Sequence, residues 1–359
     1  MKLRVIRANT VSPLYSQAIY HGIAEQIQAD DSPVLVILKP DTPYICIGLH
    51  QHFDDEVNTT YCLKKHIPIL RRHVGGGTVL LDSNQLFFQY IFPKAKAPNQ
   101  PKDLYPYLLE PVLRTYHHFG IPASLKSFND IQVSNKKIGG TGAGTINNAT
   151  VLVGSFLYDF DYQLMSQCAN TPSENFRACL EGILENNITT IKAQIAKTPT
   201  INELTDVFLE NIKESLGFEI EQVSLSTKEN EAISNAEIEL TDDEWLNIEG
   251  KKLVLNGLKI SAGVYLLEKS LPFFNSFLTI RIQYEKKSIH TIWLESNDLK
   301  IQASLIIVAT EINKLKPTVD YGVIRALTLE ITSKLSTLND HDAIRLAREI
   351  YEIANFTEY

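Results

Sequence analysis

At 359 residues, with 44% hydrophobic residues and a mean hydropathy of -0.08, the chain has the length for two domains and ample material for a buried core. Its 42 Asp and Glu against 34 Lys and Arg leave a formal charge of -8, so there is no basic excess for a nucleic-acid backbone or an anionic membrane. No run of about 18 apolar residues occurs, and MKLRVIRANTVS alternates charged and apolar positions instead of building a signal-peptide core. The expectation is a cytoplasmic protein with neither nucleic-acid nor membrane partners. Cys46, Cys62, Cys168 and Cys179 show no CxxC pairing and no histidine at metal-ligand spacing, as expected of reduced thiols.

In chain order, the pattern predicts a strand at 3–6, a helix at 15–27, and strands at 34–38 and 44–47 around the turn-prone Pro40-Asp41-Thr42-Pro43. A helix at 54–66 precedes an apolar run at 67–70. Strands at 79–81 and 86–92, a helix at 104–119, and strands at 131–133, 137–138 and 150–158 complete a mixed pattern without regular βαβ alternation. Helices follow to about residue 217, one opened by the cap-like Thr200 and Glu203. The polar stretch 224–235 reads as a linker because it has little to bury. Beyond it, Asn256-Gly257 between 252–255 and 258–260 predicts a two-residue hairpin, 277–284 and 288–294 a strand pair, and Ile324 to Leu335 and Leu346 to Ile353 two helices. The expected architecture is α+β: residues 1–223 a domain with a mixed or antiparallel sheet and packed helices, 224–235 the linker, and 236–359 a smaller α+β domain.

Two stretches stand out chemically. Arg71-Arg72-His73-Val74-Gly75-Gly76-Gly77 runs into Thr78-Val79-Leu80-Leu81-Asp82. Three successive glycines are entropically costly unless the backbone must approach a ligand or present its N–H groups to an anion. The two arginines supply cations of a geometry that grips phosphate or carboxylate. Spacing excludes a P-loop, and taken alone the stretch is also compatible with a glycine-rich hairpin flanked by solvated arginines.

The second stretch begins at Asn129-Asp130 and runs through Lys136-Lys137-Ile138-Gly139-Gly140. A lysine entering an uncharged, glycine-rich strand is costly to bury without an anionic partner. Asp130 would orient that lysine or hold Mg²⁺. A hairpin with two exposed lysines is the alternative.

Together and in this order, these stretches resemble the lipoate–protein ligase A family, which shares its catalytic fold with biotin–protein ligases and octanoyltransferases. The resemblance rests on Arg71, Arg72, Gly75, Gly76, Gly77, Val79, Asp82, Asn129, Asp130, Lys137, Ile138, Gly140, Gly154 and Ser155, and covers roughly residues 1–220. It implies an ATP- and Mg²⁺-dependent ligase that activates lipoate or octanoate as an acyl-adenylate. The acyl group would pass to a lysine of a small lipoyl domain or an H-protein-like carrier. By the same resemblance Lys137 is the catalytic cation. Arg71, Arg72, Gly75, Gly76, Gly77, Thr78, Val79, Leu80, Asn129, Asp130, Lys137 and Gly140 would hold the ligands, Asp130 would bind the metal, and Val79, Leu81 and Ile138 would line a dry acyl slot.

This chain departs from the family pattern in four places. Leu81 stands before Asp82 and Val153 before Gly154 where histidines are usual. Gly140-Thr141-Gly142-Ala143 replaces Gly-Ser-Ala-Gln, and residues 144–148 lack the basic positions that commonly follow. Two other mechanisms remain open on sequence: cysteine-mediated acyl transfer without ATP, and acyl binding without catalysis. Residues 123–129 contain no cysteine for the former. The paired His117-His118 and the histidines His50 and His52 read as packing or surface residues.

Overall fold

Contacts along the chain separate two units in the computed structural model, which describes residues 1–126, 129–252 and 254–355. Met1–Asn170 with Leu184–Lys251 make the first unit. Thr171–Ile183 with the chain from Lys252 onward make the second.

The first unit opens with β1 (Lys2–Val11), α1 (Pro13–Gln26), β2 (Val34–Pro40) and β3 (Tyr44–Ile47). Two short helices follow, α2 (Phe53–Glu56) and α3 (Thr59–Lys64), where the sequence predicts one. The break falls at Asn58, whose side chain accepts the Tyr61 N–H and restarts the helix as its N-cap. Next come β4 (Ile69–Arg71), β5 (Val79–Leu81), β6 (Gln85–Pro93), α4 (Pro101–His118), β7 (Ser124–Lys126), β8 (Asp130–Val133), β9 (Lys136–Ile146) and β10 (Ala149–Leu157). The unit ends with α5 (Tyr162–Cys168), α6 (Glu174–Asn187, whose first part belongs to the second unit), α7 (Ile191–Gln194), α8 (Ile201–Leu216), β11 (Glu219–Gln222), α9 (Thr227–Leu240) and α10 (Asp243–Leu246).

Eight strands form one mixed sheet in the order β11-β1-β2-β6-β10-β9-β8-β7, parallel among β11, β1 and β2 and antiparallel elsewhere. Pleating sends Phe88, Tyr90 and Phe92 of β6 to one face and Phe87 and Ile91 to the other. Both faces are covered, which explains the unbroken apolar run of β6. On the first face, Leu104, Leu108 and Val112 of α4 and Leu204, Phe208 and Ile212 of α8 close the core. On the second, Ala18, Ile19 and Ile23 of α1 meet Ile233, Ala236 and Leu240 of α9.

That second contact corrects the linker expectation. Residues 227–240 are helix, started by a capping box between Ser226 and Glu229 and buried along Ala232, Ile233, Ala236 and Leu240. The stretch reads as polar because its apolar residues occupy one stripe only. Glu229 is further held to the sheet by Arg4, with nitrogen–oxygen distances of 2.9 and 3.1 Å.

The second unit contains the meander β12 (Gly257–Ser261), β13 (Val264–Phe273), β14 (Ser276–Glu285) and β15 (Ser288–Ser296), with α11 (Leu299–Leu315), α12 (Tyr321–Thr332) and α13 (Asp340–Ala354) around a core of Leu267, Ile280, Leu305 and Leu346. The hairpin expected at Asn256-Gly257 lies instead at Ala262-Gly263, between the paired Ser261 and Val264. Gly263 supplies the positive φ, +76°, that such a turn requires. Of the flanking strand predicted at 252–255, Leu253 lies outside the described residues. Helix α11 has no counterpart among the predicted elements.

Candidate active site

Lys137 owes its position to a bulge. Asp130 pairs with Gly140 and Ile131 with Gly139, but Gln132 pairs with Lys137, leaving Ile138 as the extra residue. Side chains alternate along a strand, so in a regular, unbulged strand Lys137 and Gly140, three positions apart, would face opposite sides of the sheet. With the bulge, Lys137, Asp130, Gln132 and Gly140 share one face. Tyr116 of α4 fixes the bulge by donating its hydroxyl to the Ile138 carbonyl at 2.9 Å, and the Thr189 N–H donates to the Lys137 carbonyl at 2.8 Å.

The Lys137 ammonium lies 2.8 Å from Oδ1 of Asp130, whose side chain is only 6% exposed while that of Lys137 is 26% exposed. The end of the lysine crosses the bare Cα of Gly140: a Cβ there would lie 3.1 Å from Cε and 3.2 Å from Nζ. The next glycines on this face, Gly142 and Gly144, receive the loop that joins β4 to β5. A Cβ on Gly142 would stand 3.1 Å from the Gly75 carbonyl, and one on Gly144 3.3 Å from that of His73. The strand thus carries the lysine at one end of a glycine stripe and the triple-glycine loop two residues on, roughly 7 Å away.

Arg72 shapes that loop from within. Its guanidinium donates to the carbonyls of Gly75 (3.1 Å), Gly77 (2.7 Å) and Cys46 (2.9 Å). Gly76 sits at φ +104°, open only to glycine, and its carbonyl lies so close to Gly48 that Gly48 tolerates no side chain. Among the described residues, the amides of Gly75, Gly76, Gly77 and Thr78 donate to no protein acceptor. Successive free amides on a half-exposed loop are the donor set an anionic oxygen takes up. Thr78 and the Gly48 amide both donate to Oε1 of buried Gln51, whose Nε2 has no partner among the described residues.

Several expected ligand residues have other work. Arg71 is fully buried, and its guanidinium is spent on the carbonyls of Leu49 (2.8 Å), Gln51 (2.8 Å), Leu246 (2.8 Å), Gly48 and Ile248. It is a clamp on the backbone behind the loop and offers no face to a phosphate. Trp245 answers it, donating from Nε1 to the Arg71 carbonyl at 3.0 Å. Leu80 is buried in a core cluster, and its carbonyl accepts from Gln85. Ile138 packs in the core with Phe88 and Tyr116, so it does not line a slot beside Lys137. Leu81 and Val79 are partly buried, and Val79 lies against Tyr44, Cys46 and Leu70. Asn129 accepts Thr141 Oγ1 at its carbonyl. Asp130 is paired with Lys137 and joins no group of three close His, Cys, Asp or Glu ligands among the described residues.

Burial, and then the neighbouring His21, push the pKa of His73 down to about 3, so the ring beside the loop is neutral. Asp82 is raised by burial while accepting from Asn84, which makes it the turn between β5 and β6. Cys46, Cys62 and Cys168 are fully buried, and burial raises the Cys46 thiol despite Arg72.

Residues 12–213 match the family of the lipoyl protein ligase A/B catalytic domain. The chain belongs to that enzyme family. A lipoate–protein ligase 1 of Staphylococcus aureus is 25% identical over 67% of this chain and 67% of its own length. An octanoyltransferase of Geobacillus kaustophilus is 21% identical over 67% of this chain and 96% of its own. Among solved structures, the bi-partite lipoate protein ligase of Thermoplasma acidophilum, described with its E2 lipoyl domain, superposes at a TM-score of 0.65 and 21% identity over 70% of this chain and 98% of that one. A lipoate–protein ligase A bound with ATP superposes at 0.60 and 20% identity, over 69% and 100%. These likenesses establish the α+β fold, and no helix among the described residues is long and apolar enough to cross a membrane.

Within this family frame, sequence reasoning missed Gly142 and Gly144 as the loop's seat and Tyr116 as the support of the bulge. The alternation Gly140, Gly142, Gly144 was a legible signal, since period two in a strand means one face. Tyr116 carries no local signature.

Proposed function

We propose that the chain is an ATP-dependent lipoate–protein ligase, which adenylates lipoate or octanoate and passes the acyl group to a lysine of a lipoyl-domain acceptor. The observation that carries this reading is the Lys137–Asp130 pair on the same glycine-striped face that seats the Gly75–Gly77 loop. In the first step the acyl carboxylate attacks the α-phosphorus of ATP and pyrophosphate leaves. In the second, the acceptor's neutral ε-amine attacks the acyl carbon, an amide forms and AMP leaves.

Both steps build negative charge on oxygens around one phosphate and one carbonyl, which a preorganised cation and fixed N–H donors stabilise. Lys137 is the cation, held by Asp130. The amides of Gly75 to Thr78 are the fixed donors, ordered by Arg72. ATP would arrive as its Mg²⁺ complex, and no residue here is assigned to the ion. Cytoplasmic location and the division into a catalytic and an accessory domain belong to the same reading. Incubating the protein with lipoate and a lipoyl-domain acceptor tests it by intact mass. One lipoyl amide should appear on the acceptor with ATP and none without it. Acylation from an acyl-carrier in the absence of ATP would favour the octanoyltransferase chemistry of its relative instead.

A further inference from the structure

Behind the glycine loop, in the first unit, lies a cluster that the ligase reading does not use. His21 of α1 is 3% exposed, and neither of its ring nitrogens has a hydrogen-bond partner among the described residues. The same is true of Nε2 of His73. Yet carboxylates stand close: Nε2 of His21 is 3.3 Å from Oε2 of Glu239 and 3.5 Å from Oε1 of Glu25, and Nε2 of His73 is 3.5 Å from Oε1 of Glu239. The atoms converge without hydrogen-bond geometry. Leaving buried imidazole nitrogens unsatisfied is costly.

We propose that His21, His73 and Glu239, whose ligand atoms lie within 4.8 Å of one another, bind one divalent transition-metal ion of the zinc class, and that Glu25, 3.5 Å from His21, turns in as fourth ligand. Around a tetrahedral ion with bonds of about 2.0–2.1 Å, neighbouring ligand atoms lie about 3.3 Å apart, close to the three nitrogen–oxygen separations above. Two neutral imidazoles and two carboxylates balance the double charge and suit a borderline-soft ion. Glu239 is 44% exposed and gives the ion a way in. The rings of His21 and His73 are stacked at 3.7 Å and 18°, with Trp245 on the other side of His73 at 4.0 Å. In a stack the lone pairs run side by side, so ion capture turns the His73 ring about its Cβ–Cγ bond and off Trp245. The ligands come from positions 21, 25, 73 and 239, too far apart in the chain for a spacing motif. A bound ion ties α1 and α9 to the residue two before Gly75, and so stiffens the root of the loop.

The test is titration of the chelator-treated full chain with zinc chloride, followed by tryptophan fluorescence, with cobalt(II) absorption as a second readout. Saturable binding of one ion, a fluorescence change that Trp245→Phe abolishes, and tetrahedral-type cobalt bands are the expected results. Glu239→Gln, at a half-exposed position that the fold tolerates, should weaken binding by about 10- to 100-fold. No saturable binding by the folded wild-type chain, or binding unaltered in Glu239→Gln and in His73→Ser, would overturn the site and leave a stacked pair of histidines.

Discussion

Gly140 is bare where the end of Lys137 crosses it, so that an added methyl would stand 3.2 Å from the ammonium nitrogen. The lysine's path and the glycine's lack of a side chain are therefore one feature. Gly140→Ala requires the end of Lys137 to give way by a few tenths of an ångström. Reaction geometry is lost steeply with such displacement, so kcat for acyl transfer should drop about tenfold, and about 100-fold for Gly140→Val. Unchanged kcat in a folded Gly140→Val variant would separate the two residues.

Asp130→Asn keeps the shape of the carboxyl group and removes its charge. The ammonium then loses its charge-assisted partner at 2.8 Å and its fixed position. The expected result is a fall in kcat of about 10- to 100-fold with little change in melting temperature, measured by acyl transfer and calorimetry.

The two arginines should behave differently. Arg71→Met strands buried carbonyls of Leu49, Gln51 and Leu246, a loss of about 3–5 kcal/mol in unfolding free energy. Arg72→Lys cannot reach the carbonyls of Cys46, Gly75 and Gly77 together. It should leave the fold intact and raise the KM for ATP about tenfold or more. Denaturant unfolding and ATP-dependent kinetics on both variants distinguish clamp from loop support.

Helix α9 carries a pH dependence. Burial alone would raise Glu229, but hydrogen bonds from Arg4 and Ser226 outweigh it and hold the folded-state pKa below the ordinary carboxylate value. A carboxyl depressed in the folded state contributes stability that is fully present above its unfolded pKa and lost as pH falls through the folded one. The wild-type protein should lose stability on acidification below the unfolded glutamate value. Glu229→Gln should lower neutral-pH stability by about 1–3 kcal/mol and flatten that acid slope. An unchanged slope would mean that the pair contributes nothing.

Much of this was legible in the sequence, and what was not has definite physical causes. Strand runs such as 44–47 and 79–81 stand where their apolar pattern puts them, because short buried strands need no distant partner to be recognised. Asn256-Gly257 misled because Ala262-Gly263 served the hairpin equally well, and strand pairing decided between them. Helix α9 hid because only one stripe of it is apolar. Arg71 and Arg72 look alike in the chain. Only packing sets one against the backbone behind the loop and the other beneath the glycines. The Ile138 bulge, which gives Lys137 its face, depends on the pairing of β8 with β9 and leaves no mark in composition.

The central claim is that Lys137 and the glycine loop activate a carboxylate with ATP. Exchange of labelled pyrophosphate into ATP, in the presence of lipoate or octanoate and without acceptor, measures that step alone. The wild-type protein should show exchange that depends on the added acid, reduced at least about 100-fold in a folded Lys137→Met variant. No exchange with either acid, or equal exchange in Lys137→Met, would contradict it.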